Sequence, residues 1–327
     1  MASILITGAS GKIGKNLITS LLRSGNTIRA LVKDNMIKDE NVEIFYGNVL
    51  DISTLEKAMK DVDTIYHLAA VTDNFSPKDD MYEVNVLGTK NVIDASKGKK
   101  VIYLSTTSVM GKNFKELPVS EKTKCSPTSF YAETKEEAEN LVLENNGIVV
   151  RSPEALGSDF AEDFGFLISE LEKGDFHILG DGKNFLQWIH VSDIIQALVL
   201  ANSLGKPKNT YIVAGKDFKT QKQLLAMFCK HLGVEPPTKH TSSLFAKAKM
   251  HSSMIKGRLS KEKPLMLPCH VDMLTTNMTF DMTKAKTDLG FEPTVGLDEA
   301  IKEVVDSYVQ LHKEEQKVPD EISEEQA

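Results

Sequence analysis

Cysteine is nearly absent. The 327 residues hold three, Cys125, Cys229 and Cys269, an odd number with no CxxC spacing. A disulfide framework and a zinc knuckle are therefore not expected, and a reducing, cytoplasmic setting is. Cys269-His270 is the one tempting metal pair, but adjacent residues rarely chelate one ion and nothing stands at ligand spacing from them, so no metal is assigned. Long apolar runs are missing as well. Ile148–Val150 is short, Ile194–Ala201 is broken by Gln196, and neither approaches the roughly 20 residues of a membrane span. A basic leader is lacking too, since Ile4, Leu5 and Ile6 run straight into a glycine loop, so no signal peptide is expected. No membrane and no nucleic acid is expected as a partner.

What is present is ordinary for a globular chain: 41% apolar and 26% charged residues. The length favours one large domain with a smaller one. The net charge of −7 is uneven. From His312 to Ala327 six acidic residues face two basic ones around Pro319, which reads as a disordered acidic tail. Between Thr238 and Lys263 the sign reverses: Lys239, Lys247, Lys249, Lys256, Arg258, Lys261 and Lys263 stand against Glu262 alone. That stretch reads either as a site for an anionic substrate or as the solvated face of a helix. In the second reading Leu244, Phe245, Ala248, Met254, Ile255 and Leu259 supply the buried side.

The first half alternates short apolar runs with amphipathic stretches. Strands are expected at Ser3–Ile6, Thr27–Val32, Val42–Tyr46, Thr64–Leu68, Lys100–Leu104 and Ile148–Val150. Helices are expected after Ile13, around Leu55–Met59, and over Val84–Ala95 and Tyr131–Leu143. This rhythm implies right-handed βαβ units and an α/β fold. Its Rossmann-type, doubly wound parallel sheet would bind ligands beyond the carboxyl ends of its strands. After Gly157 the rhythm breaks.

Between the first strand and the first helix lies Thr7-Gly8-Ala9-Ser10-Gly11-Lys12-Ile13-Gly14. Gly8 permits a tight turn, Gly11 lets backbone approach a pyrophosphate, and Gly14 lets the helix pack closely on the sheet. The helix N-terminus offers its free N–H groups to the phosphates. A P-loop does not fit, because Ala9 and Asn16 stand where its glycine and hydroxyl residue belong.

Tyr131 and Lys135 form a YxxxK pair on one face of an expected helix. A free phenol titrates near ~10 and is a poor base. A nearby ammonium and a positive nicotinamide ring favour the phenolate, so the tyrosine pKa is expected to fall. Tyr131 then suits proton exchange with an alcohol or carbonyl while hydride moves.

The TGxxGxxG spacing and the YxxxK pair, taken with Leu104-Ser105-Thr106-Thr107-Ser108-Val109-Met110-Gly111, resemble the extended short-chain dehydrogenase/reductase family, also described as epimerase/dehydratase-like. Aligned without a gap, Thr106 falls on the family's catalytic Ser/Thr, giving a triad of Thr106, Tyr131 and Lys135. The alternative for Thr106 is a hydroxyl that merely caps the strand end. The resemblance continues along the chain. Gly47-Asn48-Val49-Leu50-Asp51 is similar to the loop near the adenine, with Asn48 replacing the usual acid. His67-Leu68-Ala69-Ala70 is similar to the loop against the cofactor ribose. Asn85 matches an active-site support. Arg151–Gly157 resembles the segment near the carboxamide, including Pro153, although its proline and aromatic positions differ. Gln187–Asp193 contains His190, which reads as structural rather than catalytic. Leu289–Pro293 resembles a late turn.

The resemblance implies an NAD(P)-binding Rossmann domain over 1–157 with returning pieces near 186–215. It also implies a smaller, mainly substrate-binding lobe over 158–311, with the tail at 312–327. Cofactor contacts are implied at Gly8, Gly11, Lys12, Ile13, Gly14, Lys33, Asn48, Val49, Leu68, Ala69, Ala70, Tyr131, Lys135 and Pro153. Lys33 stands where relatives that prefer NADP carry a basic residue, and Lys12 adds a second cation for a 2′-phosphate. Asp34, one position on, keeps NAD open. The expected activity is NADP(H)-preferring reduction or dehydrogenation of a ketone, aldehyde or secondary alcohol, a small substrate that could be anionic. A nucleotide-sugar 4-epimerase using NAD is the alternative, and a non-catalytic NADP(H)-binding sensor is a lesser one. A 4,6-dehydratase fits poorly, because Thr107 and Ser108 replace its acid pair. A homodimer through a helix pair that includes the Tyr131 helix is also implied, and the oligomeric state is otherwise open.

Overall fold

A computed structural model describes residues 2–33, 37–112, 114–264 and 266–315. Among them, seven parallel strands form one sheet. They are β1 (Ser3–Thr7), β2 (Thr27–Val32), β3 (Val42–Tyr46), β4 (Thr64–His67), β5 (Lys100–Thr106), β6 (Ile148–Ser152) and an edge strand, Asn209–Ile212. Their order is β3-β2-β1-β4-β5-β6-edge, and every neighbouring pair is parallel. The order reverses between β1 and β4, which opens a crevice at the carboxyl ends of those two strands.

The β1 sequence explains why both faces are covered. Ile4 and Ile6 point to one side, against Leu17, Ile18 and Leu21 of α1 (Lys12–Arg23). Leu5 points to the other, among Leu55 of α2 (Ile52–Ala58), Ile65 of β4 and Val92. A strand buried on both faces has no polar alternation, and Ile-Leu-Ile supplies none.

The next helical stretch differs from the continuous helix expected over Val84–Ala95. A short α3 (Lys78–Tyr82) leads into a π turn, Glu83–Leu87, and only then into α4 (Gly88–Ser96). The wider turn carries Asn85 inward, where its amide binds both backbone groups of Val71, at 2.7 and 3.0 Å, and Thr134 Oγ1, at 3.0 Å. Helix α5 (Phe130–Glu144) follows β5 and is capped by Ser129, whose side chain accepts from the Ala132 N–H.

The remaining helices are α6 (Gly165–Glu172), α7 (Val191–Leu204), α8 (Gln221–Leu232), α9 (Ser243–Ser260), α10 (Pro268–Thr275), α11 (Thr283–Leu289) and α12 (Leu297–Glu315). The core under α1 continues through α7 and α8 to Ile301, Val304 and Val305 of α12. Two expectations need correction. The acidic stretch expected to be disordered from His312 begins as the last turn of α12, while 316–327 lie outside the described residues. On α9, the apolar residues expected to be buried are not: Leu244, Phe245, Ile255 and Leu259 are 78%, 66%, 60% and 82% exposed. Only Ala246 and Gly257 of that helix are buried, because the protein beneath it meets just one narrow stripe.

Candidate active site

The glycine loop lies at the crevice. Gly8 has φ of +71°, and a Cβ there would sit 2.6 Å from the Ala69 nitrogen. A Cβ on Gly14 would collide with Gly8 and Ala9, so α1 reaches the sheet only as glycine. Gly11 differs: its missing Cβ would meet only the Gly8 oxygen, at 3.2 Å, so its outer side is open. It is also the N-cap of α1 and provides no side-chain cap, which leaves the first-turn N–H groups for an anion. Gly8 turns the chain, Gly14 seats the helix, and Gly11 leaves room, so these residues fit a dinucleotide pyrophosphate.

Other expected contacts gather around this loop. The Leu68 N–H donates to the Thr7 carbonyl at 3.1 Å, which holds half-buried Leu68, Ala69 and Ala70 beside Gly8. Asn48 is exposed, its carbonyl accepting from the Leu50 N–H at 2.7 Å. Val49 is buried against Gly88. Lys33 is exposed just past β2, next to the Gly47 turn, and Asp34 lies outside the described residues. Ile13 lies in the first turn of α1, and Pro153 follows β6, half-buried. Lys12 does not stand free: its ammonium pairs with Asp163 at 2.6 Å and lies 5.2 Å from the centre of the Phe160 ring.

Thr106 ends β5, and Tyr131 and Lys135 lie on α5, which packs against that strand. Lys135 is buried, donates to the Leu104 carbonyl at 2.8 Å, and stacks 4.0 Å over the Tyr103 ring. This anchors α5 two residues before Thr106. Thr106 is the cap of a 3₁₀ turn, Thr107–Met110: its hydroxyl accepts from the Ser108 N–H and donates to Ser108 Oγ, both at 3.1 Å. The side chain thus caps this turn and stays half-exposed. His67 is fully buried between Thr7 Oγ1 (2.7 Å) and Thr89 Oγ1 (2.8 Å). Burial and then the Lys135 charge push its pKa down to about 3. His190 caps α7 and pairs with Glu303 at 3.0 Å.

One electrostatic expectation is overturned. The Tyr131 pKa does not fall; it is raised, first by burial and then by the negative charge of Glu154. The Lys135 ammonium is itself desolvated, which brings its pKa down to about 7 against the pull of Glu139. Burial costs a phenolate and an ammonium alike, so neither form supports the other here.

Sequence reasoning missed Glu154. Burial pushes its carboxyl up to about 7, the neighbouring Asp163 pushes the same way, and Lys12 opposes. An acid inside the otherwise uncharged Ser152–Leu156 run was the available signal. Arg151, in the same segment, forms a buried two-pronged pair with Glu139 of α5, at 2.6 and 2.9 Å, tying β6 to the Tyr131 helix. Lys263 pairs with Asp73 at 2.8 Å, and the fields of Glu154 and Asp163 reach Cys269 and His270 respectively.

Comparison with known proteins places this geometry. The model of the NAD dependent epimerase/dehydratase family matches residues 4–214, and that of GDP-mannose 4,6 dehydratase matches residues 166–304. A 3 beta-hydroxysteroid dehydrogenase/Delta 5→4-isomerase of Mycobacterium tuberculosis is 26% identical over 347 residues, covering 96% of this chain and 92% of its own. The 4-hydroxy-2-methyl-3-oxo-4-farnesyl-3,4-dihydroquinoline-1-oxide ketoreductase of Stigmatella aurantiaca is 25% identical over 313 residues, covering 90% and 94%. The solved UDP-glucuronic acid 4-epimerase of Bacillus cereus, in complex with NAD, has the same fold. Its TM-score is 0.74 at 23% identity, with 95% of this chain and 99% of that one covered. A family match running from β1 through the edge strand decides the matter: the chain belongs to the NAD-dependent epimerase/dehydratase family, the extended short-chain dehydrogenases/reductases, and is an NAD(P)-dependent enzyme of that class.

Proposed function

We propose that the chain is an NADP(H)-preferring reductase or dehydrogenase of a ketone, aldehyde or secondary alcohol. The observation that carries this reading is the anchoring of Lys135 to the Leu104 carbonyl, which sets the Tyr131 helix against the strand that ends in Thr106. The open Gly11 turn and α1 would hold the pyrophosphate, Lys33 a 2′-phosphate, and Asn48 and Val49 the adenine. Leu68–Ala70 and Lys135 would hold the riboses, and Pro153 the carboxamide side. When bound, the nicotinamide supplies or accepts the hydride. Thr106 and Tyr131 hydrogen-bond the substrate oxygen. In reduction Tyr131 gives its proton to the carbonyl oxygen, and in oxidation it takes the alcohol proton. Its raised pKa keeps the phenol protonated, the state that reduction requires.

Two relatives, a ketoreductase and a hydroxysteroid dehydrogenase by name, support carbonyl–alcohol chemistry and point to a lipophilic substrate. A nucleotide-sugar 4-epimerase is the second reading, supported by the shared fold of the UDP-glucuronic acid enzyme. The GDP-mannose dehydratase match does not extend to Thr106–Ser108, where a dehydratase needs its acids.

Titration with NADPH and NADH, followed by nicotinamide fluorescence, tests the cofactor. NADPH is expected to bind more tightly, with the preference lost in Lys33→Ala. NAD retained through purification moves the reading to the epimerase. Tyr131→Phe is expected to lower turnover of a carbonyl panel by about 10²–10⁴ while sparing cofactor binding. Unchanged turnover refutes the role given to Tyr131. Tight NADPH binding with no turnover by the unmodified chain would leave a sensor.

A further inference from the structure

Helix α9 has two different faces. Ala246 and Gly257 are buried, Met250 and Met254 are half-buried beside them, and this side rests on the protein next to α10. Leu244, Ala248, Ile255 and Leu259, at intervals of four, seven and four, form one stripe on the opposite side, with Phe245 at its edge. The four large residues are 60–82% exposed. Lys249 and Lys256 run along one margin of the stripe, and Arg258 and His251 along the other, all exposed. Lys261 follows at the end. Lys247 is turned away and pairs with Asp272 of α10. The helix has no acidic residue, although the chain as a whole carries −7.

An ordinary surface helix is polar on its solvent side. Here the solvent side is apolar at its centre and cationic at both edges. We propose that α9 is a docking helix that lies in the headgroup layer of an anionic lipid bilayer. The stripe enters the apolar boundary, while the basic side chains reach outward to lipid phosphates along their alkyl stems. A second copy of the chain fits less well, because apposing two such stripes sets both basic margins against each other. No helix among the described residues is long and apolar enough to cross a membrane, so the contact is peripheral. The sequence expectation of no membrane partner rested on the absence of a span and did not address this surface. The proposal is independent of the reaction assigned above. Through Lys263 and Asp73 the end of this region is tied to the loop after β4.

Sedimentation of the full chain with vesicles tests it, using phosphatidylcholine alone and phosphatidylcholine with phosphatidylserine. Binding is expected to the anionic vesicles and to weaken with salt. Lys249→Gln and Lys256→Gln are each expected to lower affinity about fivefold, and Leu244→Ser with Leu259→Ser to lower it more than about tenfold. These positions are exposed, so circular dichroism and NADPH binding stay unchanged in all variants. Failure of the folded chain to sediment with either vesicle overturns the proposal, as does binding that ignores both sets of substitutions. A concentration-dependent dimer that Leu259→Ser dissociates, without vesicle binding, assigns the face to a second copy and overturns it equally.

Discussion

Glu154→Gln isolates the charge that most affects the reacting end of the crevice. Burial and the neighbouring Asp163 carry the Glu154 carboxyl from 4.5 up to about 7, against Lys12. The folded state therefore holds this proton more tightly than the unfolded chain does. The sign follows: the group's contribution is fully present below the unfolded value and is lost as pH rises through the folded one. At ~1.4 kcal/mol per pH unit, the gap is worth about 3 kcal/mol, and about 2 kcal/mol of it falls between roughly pH 5.5 and 8. Glutamine keeps the shape and never ionises. The variant is expected to gain on the wild-type chain by about 2 kcal/mol more at pH 8 than at pH 5.5. Urea unfolding at the two pH values, followed by circular dichroism, measures that difference directly. An equal effect of the substitution at both pH values refutes the reasoning, because it means that Glu154 titrates as an ordinary solvated carboxylate.

Two further substitutions test the frame of the site. Arg151→Met leaves Glu139 buried without its partner and is expected to cost about 3–5 kcal/mol in denaturant unfolding; a loss below 1 kcal/mol would show water reaching that pair. Gly8→Ala puts a side chain at φ of +71° and 2.6 Å from the Ala69 nitrogen. It is expected to lower stability by about 1–3 kcal/mol and to abolish saturable NADPH binding by fluorescence titration, and retained binding would contradict the role given to that turn.

The sheet was legible because its signals are local. Ile4-Leu5-Ile6 declares a strand buried on both faces, and the glycine spacing matches the steric demands met at Gly8 and Gly14 and the open side at Gly11. Tyr131 and Lys135 were legible because four residues make one helical turn. Other features depend on contacts between distant segments and have no periodic signature. The spacing gave no sign that Asp163, remote in the chain, pairs with Lys12 at 2.6 Å. The π turn at Glu83–Leu87 is invisible in a pattern that fits an α-helix equally well, and it exists where Asn85 reaches Val71 and Thr134. The burial of α9 was misread for a similar reason. An amphipathic pattern shows that one side differs from the other, but not which side the rest of the protein covers.

The same desolvation acts on the tyrosine and on the glutamate. Sequence spacing suggests that Lys135 stabilises a phenolate, and this holds only if the ammonium keeps its charge. In the folded chain Lys135, Tyr131 and Glu154 are all pushed toward their neutral forms by burial. The charges that remain are paired: Lys12 with Asp163 at the start of α1, and Arg151 with Glu139 between β6 and the Tyr131 helix. Burial thus weakens the charge of the groups around Tyr131, where the proposed reaction would place a carbonyl. On the proposed mechanism, weaker charge there would lower the cost of admitting an apolar substrate and would keep the tyrosine proton in place for transfer to the carbonyl oxygen. When Glu154 ionises above about 7, it adds negative charge beside Tyr131 and holds that proton more firmly. On the proposed mechanism, alcohol oxidation, which must first remove the proton, would be the direction that Glu154 opposes.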